Sequence, residues 1–102
     1  MECEGFFRLR EGVWRKPLAE SLGWGLQADL IRLDPNLVDR AHIHGDVEWV
    51  YVLEGSFSDG RGLHVKGDFV ENSVEDVHQV RTGDEGALLF IVWCGKVDVV
   101  QE

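Results

Sequence analysis

Three histidines and one glutamate are the residues of this 102-residue chain whose types and spacing could do chemistry. His42 and His44 stand two residues apart, and Glu48 follows four residues after the second histidine. Residues two apart in a β-strand project from one face, so a strand here would hold both imidazoles at the separation that two ligands of one metal ion need. Glu48 has matching parity if that strand continues, although Gly45 and Asp46 favour a turn before it.

His78 is the candidate for a third imidazole, thirty residues beyond Glu48. Its neighbours Val77, Gln79 and Val80 are typical of a strand, and the alternation puts His78 on the face of Val80, an interior position in a barrel. Three neutral imidazoles and one carboxylate form a borderline ligand set that suits Zn, Fe, Mn, Ni or Cu without choosing among them. An interior carboxylate would also be costly unless a cation compensates it.

The competing interpretation is a structural β-module whose histidines are incidental. A His-x-His pair by itself often lies on an exposed strand, where both rings are merely solvated. The fourth histidine, His64, lies beside Lys66 and a glycine-rich turn, and it is expected to face solvent. Cys94 lies in an apolar run and is predicted to be a small buried hydrophobe. Neither a disulfide to Cys3 nor a thiol nucleophile is expected, and no residue is assigned a catalytic role.

The elements that must position these residues are predicted to be short strands. Hydrophobic residues make up 44% of the chain, which excludes disorder, and 12 glycines separate the apolar runs. Regularly spaced short runs with turn residues between them favour an all-β sandwich or barrel in a single domain. The predicted strands cover Glu4–Arg10, Gly25–Leu33, Arg40–His44, Val47–Leu53, Leu63–Lys66, Asp68–Val70, Val77–Val80, Ala87–Cys94 and Lys96–Val100.

Two connecting segments carry predictions of their own. Pro17–Leu26 is the best helical candidate because three of its leucines recur every four residues. Two glycines inside it each cost about 1 kcal/mol relative to alanine, so one helical turn is expected at most. Thr82–Gly86 combines glycines with polar residues and is predicted to be a turn between strands.

The strand Val47–Leu53 is predicted to have two apolar faces. Glu48 shares one face with two valines, and Trp49, Tyr51 and Leu53 occupy the other. An exposed stripe of such residues would be an interaction patch, so an N-terminal strand or a second copy of the chain is expected to cover it. This pattern predicts a homodimer.

Charge and hydropathy exclude several classes of partner. The net charge of −9 would repel phosphate groups, so neither nucleic acid nor an anionic membrane surface is an expected partner. No apolar run approaches the ~18 residues that span a bilayer, and Met1–Glu4 lacks the features of a secretory signal. The expected compartment is the cytoplasm.

The motifs taken together resemble those of the cupin superfamily. The stretch from His42 to Gly55 has the form His-x-His-x3-Glu-x6-Gly of the first cupin motif, and Gly67 and His78 match positions of the second. Closer similarity is to the metal-binding domain of the ChrR anti-sigma factors and its relatives, which include acetylacetone-cleaving dioxygenases. It is carried by Gly12–Leu18, Leu30–Pro35, Glu54–Asp59 and Lys66–Val70.

The resemblance implies a single-domain cupin over residues 1–102, a jelly-roll barrel also called a double-stranded β-helix, which is often dimeric. It implies one divalent metal ion, Zn or Fe before Mn or Ni, and it carries the ligand roles to His42, His44, Glu48 and His78. The family suggests oxygen-dependent cleavage of a small diketone-like or hydroxylated ketone substrate. The alternative is a non-catalytic sensor or regulatory module that binds a small ligand. Sigma-factor capture is not expected, because the chain lacks the helical His and Cys cluster of the anti-sigma factors.

Overall fold

The computed structural model describes residues 5–21, 23–39, 42–44, 48–72, 77–94 and 97–99. For residues 42–44, 77–78 and 97–99 the description covers the backbone alone. These residues form ten strands, so the all-β prediction is confirmed. Nothing in the described ranges is a helix that could cross a membrane. The strands are β1 (Phe7–Arg10), β2 (Val13–Ser21), β3 (Leu26–Leu33), β4 (His42–His44), β5 (Glu48–Ser58), β6 (Leu63–Val65), β7 (Phe69–Asn72), β8 (Val77–His78), β9 (Arg81–Cys94) and β10 (Val97–Val99).

The strands form one large and one small antiparallel sheet. Seven strands make the large sheet in the order β1-β2-β3-β9-β5-β6, with β7 also paired to β5. The small sheet has the order β10-β4-β8. The two longest strands, β5 with 11 residues and β9 with 14, lie next to each other and form the centre of the large sheet.

Side-chain alternation along β5 separates a buried inner face from an exposed outer face. Glu48, Val50 and Val52 are buried, whereas Trp49 and Tyr51 are exposed, so the predicted division of the strand between two faces is confirmed. The register extends this parity across the sheet, because Val50 pairs with Ile91 on β9 and with Val70 on β7. The inner face therefore supplies most of the core, which comprises Val13, Ile31, Leu33, Val50, Val52, Phe57, Val70, Val80, Ala87, Leu89 and Ile91.

The helical candidate was wrong, because most of Pro17–Leu26 belongs to a β-hairpin. β2 pairs with β3 from Val13 opposite Leu33 to Ser21 opposite Leu26. Pro17 is tolerated because the register shifts between Pro17 and Ala19, and an irregularity in the ladder accommodates a residue that cannot donate a backbone hydrogen bond. The two glycines lie in the turn that joins the strands.

The turn predicted at Thr82–Gly86 is instead a bulge within β9. Phe57 pairs with Thr82 and Gly55 pairs with Ala87, so a single residue of β5 faces four residues of β9. Gly55 has φ of 72°, and a Cβ at this position would clash with the carbonyl oxygen of Gly86. Glycine at both positions lets the two longest strands stay paired on either side of the bulge.

Candidate functional site

The small sheet brings the three predicted histidine positions together at the level of the backbone. β4 contains His42 and His44, and the antiparallel register places His42 directly opposite His78 on β8. Directly opposite residues share a face of a sheet, and so do residues two apart on one strand. The three positions therefore lie on one face of the small sheet, while their side chains are outside the described residues.

Glu48 comes from the other sheet. It begins β5 on the inner face of the large sheet, and it is only 4% exposed. A single strand running on from His44 does not carry it, because β4 and β5 belong to different sheets. The turn predicted at Gly45 and Asp46 falls outside the described residues.

The Glu48 carboxyl is held by a buried amide. Asn72, its register partner on β7, is 2% exposed and donates from Nδ2 to Oε1 of Glu48 over 2.6 Å. Burial raises the pKa of Glu48 to about 7, although the Asn72 hydrogen bond and the charge of Arg61 both act to lower it. Desolvation of the ionised form therefore outweighs the polar contacts.

A chain of polar contacts leads from this amide to the β5–β6 turn. Arg61 donates from Nη2 both to Oδ1 of Asn72 and, over 2.7 Å, to Oδ2 of Asp59. The backbone N–H of Arg61 also donates to Oδ1 of Asp59 over 3.0 Å. The Asp59 side chain is fully buried, whereas that of Arg61 is 47% exposed. We call the set Glu48, Asn72, Arg61 and Asp59 the carboxyl network.

His64 adjoins the carboxyl network, and its predicted exposure to solvent was wrong. Its side chain is 19% exposed, with Nε2 lying 3.1 Å from Oδ1 of Asp59. The imidazole packs against Phe57 with the ring centroids 5.0 Å apart. Burial by itself would raise the pKa of Asp59, but hydrogen bonds from Arg61 and His64 and the Arg61 charge lower it below its usual value.

An interior cavity of about 70 Å³ lies beside Glu48. Its walls are mainly core side chains of the inner face, and Glu48, Asn72, Trp93 and Arg10 are its polar members. Arg10 is held in place by Asp39, which accepts from Nε and Nη2 over 2.9 and 2.7 Å. An apolar space with a few polar groups along its lining is typical of a small-ligand site.

Trp93 adds a hydrogen-bond donor to this lining. It pairs with Glu48 in the β5–β9 register, so Asn72, Glu48 and Trp93 form one row across three strands. The indole Nε1 is buried and has no hydrogen-bond partner among the described residues. A buried donor without a protein acceptor is suited to an oxygen atom of a ligand or of a water molecule.

Of the predicted ligand set, the side chain of Glu48 lies among the described residues, and its chemistry suits a divalent cation. A carboxyl group in a mostly apolar cavity is the group that a cation would stabilise in its ionised form. The described side chains contain no cluster of three or more metal-binding groups, and the three histidine side chains are not among them. The ligand set His42, His44, Glu48 and His78 therefore stays a prediction.

Sequence reasoning missed the residues that surround Glu48. Asn72 has a signal in the sequence, since alternation from Val70 puts it on the inner face, but the predicted strand ended at Val70. For Asp59 and Arg61 the sequence indicates a turn and no contact with the site. Their role depends on β7 lying beside β5, and the sequence alone does not specify that pairing.

Comparison with known proteins agrees with this architecture. The family model of the ChrR Cupin-like domain matches residues 4–97. Among curated protein sequences, none matches this chain significantly. An acetylacetone dioxygenase from Acinetobacter johnsonii superposes with a TM-score of 0.87 at 10% identity, over 100% of this chain and 76% of that one.

Two other solved structures have the same fold. An RmlC-like cupin protein from Ralstonia eutropha gives a TM-score of 0.84 at 15% identity, over 92% of this chain and 63% of its own length. A chain in the complex of SigE with the anti-sigma ChrR from Rhodobacter sphaeroides gives 0.77 at 20% identity, over 86% and 47%. This chain thus spans less than two thirds of either protein. At these identities the likeness concerns the fold, and it confirms the predicted cupin architecture.

The raised pKa of Glu48 predicts a pH dependence of stability in the metal-free protein. Between pH 4.5 and about 7 the unfolded state releases this proton while the folded state keeps it, so stability falls as the pH rises. Relative to Glu48→Gln, the free energy of unfolding should fall by about 3 kcal/mol over this range and stay level above it. Urea unfolding of both proteins across pH 4.5–8 measures the difference. A difference in the free energy of unfolding that stays constant across this pH range would contradict the raised pKa of Glu48.

Proposed function

Because the chain belongs to the family of ChrR cupin-like domains, we propose that His42, His44, Glu48 and His78 bind one divalent metal ion. The observation that carries the proposal is the buried carboxyl of Glu48 beside an interior cavity. The placing of His42 directly opposite His78 supports it further. The expected metal is Zn or Fe, with Mn or Ni as further candidates, since imidazole and carboxylate ligands suit all four.

We further propose that the protein is an oxygen-dependent dioxygenase acting on a small diketone-like or hydroxylated ketone substrate. When bound, a divalent ion would act as a Lewis acid towards the substrate oxygens. The apolar walls, among them Val50, Leu89 and Ile91, would exclude water from the substrate carbons. The buried Trp93 N–H is suited to donate to a substrate oxygen. The fold likeness to an acetylacetone dioxygenase supports this reaction class.

The alternative is a sensor or regulatory module, and the size of the cavity favours it. A volume of about 70 Å³ is roughly half of the ~150 Å³ cavity that holds benzene in an engineered protein. Among the described side chains the space beside Glu48 is thus small, which suits a closed ligand shell more than one that must admit a substrate and oxygen together. The fold likeness to a chain in the complex of SigE with the anti-sigma ChrR supports a regulatory role.

The metal proposal predicts that the metal content of the protein falls when a proposed ligand is replaced. Wild-type protein should retain about one ion per chain after dialysis, and His42→Ala and His78→Ala should each bind it at least tenfold more weakly, since each loses a ligand. Elemental analysis and competition with a chelator measure content and affinity. Trp24→Ala is the control, because the Trp24 side chain is 80% exposed at a hairpin tip and is not a proposed ligand. Equal metal content in all four proteins would contradict the ligand set.

The dioxygenase proposal predicts oxygen uptake that depends on substrate size. Iron-loaded protein should consume one O2 per pentane-2,4-dione, and aryl ketones should react at least tenfold more slowly, because the cavity is small. An oxygen electrode with product analysis measures the stoichiometry. Fully loaded protein that consumes no oxygen, yet is stabilised saturably by a small molecule in thermal unfolding, would favour the sensor.

We also propose that two copies of the chain associate through the outer face of the large sheet. Trp49 and Tyr51 project from β5, flanked by Phe69 on β7 and by Phe90 and Val92 on β9. The first three are exposed, Phe69 by 62%. This apolar face extends across three neighbouring strands, and an exposed apolar patch of this kind marks an interaction surface.

A second copy is the partner that the charges around this face favour. Glu71 is exposed on the β7 side, and Lys16 and Arg32 lie on the β2 and β3 side of the same face. A two-fold axis through the middle would bring the acidic edge of one copy to the basic edge of the other, as a self-complementary interface requires.

The dimer proposal predicts which aromatic residue matters. Tyr51→Arg should convert a dimer into a monomer, because it puts two like charges near the centre of the interface. Trp24→Arg, at a hairpin tip where the side chain is 80% exposed, is the control and should stay dimeric. Sedimentation equilibrium distinguishes the two. A monomeric wild type, or two dimeric variants, would contradict the assignment.

A further inference from the structure

The carboxyl network connects an interior side chain with a side chain at the surface. We infer that Arg61 is a positioning residue for Glu48, acting through the Asn72 amide, and that it thereby sets the affinity of the metal site. The inference rests on the proposed metal-binding function. None of the predicted ligands is Arg61, and its guanidinium lies on the turn after β5, outside the row of residues that faces the cavity.

The first step is the orientation of the Asn72 amide. This group has one acceptor oxygen and one donor nitrogen, and a half-turn of the side chain exchanges them. Arg61 offers only donors, so its contact with Oδ1 directs the NH2 group of Asn72 towards Oε1 of Glu48. Arg61 thus adds a second contact that favours this orientation, because the reversed amide would present its oxygen to the carboxylate and its NH2 group to the guanidinium, and both contacts are repulsive.

The second step is that Arg61 is itself fixed. Asp59 accepts from both the guanidinium and the backbone N–H of Arg61, over 2.7 and 3.0 Å. Asp59 is fully buried and also contacts His64, so its carboxylate cannot follow Arg61 into solvent. The guanidinium is therefore pre-organised despite its exposure, and little side-chain entropy is lost in holding Asn72.

The third step concerns the metal. The hydrogen bond from Asn72 engages Oε1 and fixes the rotation of the Glu48 carboxyl group about its last bond. Groups that orient a ligand in this way commonly change metal affinity by about 10- to 100-fold. Removal of Arg61 is expected to release the amide, and through it the carboxyl group, while the fold is kept.

The experiment titrates metal-free protein with Co2+, whose visible spectrum depends on the ligand geometry. Arg61→Ala should weaken binding about tenfold or more and alter the spectrum. Arg61→Lys should restore the affinity only in part, because lysine ends in a compact ammonium group and lacks the planar guanidinium that holds Nη2 between Asn72 and Asp59. Arg8→Ala, which removes an exposed arginine on β1, is the charge-matched control and should leave both readouts unchanged.

A second variant shows whether Arg61 acts through the amide. Asn72→Leu should weaken Co2+ binding, and Arg61→Ala should have no further effect in that background. Equal effects of Arg61→Ala with and without Asn72 would overturn the inference. So would a wild-type affinity and spectrum in Arg61→Ala. If wild-type protein binds no Co2+, the proposed metal site is wrong, and the inference about Arg61 is wrong with it. If wild-type protein binds Co2+ and Arg61→Ala binds it equally well, only the inference about Arg61 is wrong.

Discussion

Burial of one carboxyl group inside an apolar barrel is the constraint to which the rest of the site responds. A carboxylate taken from water into such an interior is destabilised by several kcal/mol unless polar partners or a cation compensate it. In this chain the protein partners compensate only in part, because the pKa of Glu48 stays near 7 despite the Asn72 hydrogen bond and the Arg61 charge. In the metal-free state the site thus keeps a carboxyl group whose charged form the proposed divalent ion would stabilise.

The pairing of β5 with β7 and β9 places the polar groups around Glu48. β5 has β7 on one side and β9 on the other at its first residues, so Glu48 acquires Asn72 and Trp93 as lateral neighbours. Further along, β5 exchanges β7 for β6, and the turn between β5 and β6 carries Asp59 and Arg61 back towards Asn72. A single strand therefore supplies both the interior carboxyl of Glu48 and the start of the turn whose Arg61 contacts Asn72.

The sequence predicted what depends on local alternation. The two faces of β5 and the strand character of His42–His44 follow from period-two patterns, and both are as predicted. The helical prediction for Pro17–Leu26 was wrong because the helical spacing of its leucines carries no information about the pairing of β2 with β3. The carboxyl network lay beyond prediction for a related reason, because Asn72 meets Glu48 and Arg61 only after β7 has found β5. The assignment of all of residues 1–102 to one cupin domain stays a prediction.

In the described ranges the histidine-bearing sheet has strands of three, three and two residues, whereas β5 and β9 pair on both sides along much of their length. Strand segments with few ladder hydrogen bonds open locally at low free energy, without global unfolding. An ion bound across the two sheets would couple the opening of the small one to the large one and slow amide hydrogen exchange there. Binding of the ion would then slow the hydrogen exchange of backbone amides in β4 and β8 far more than in β5 and β9.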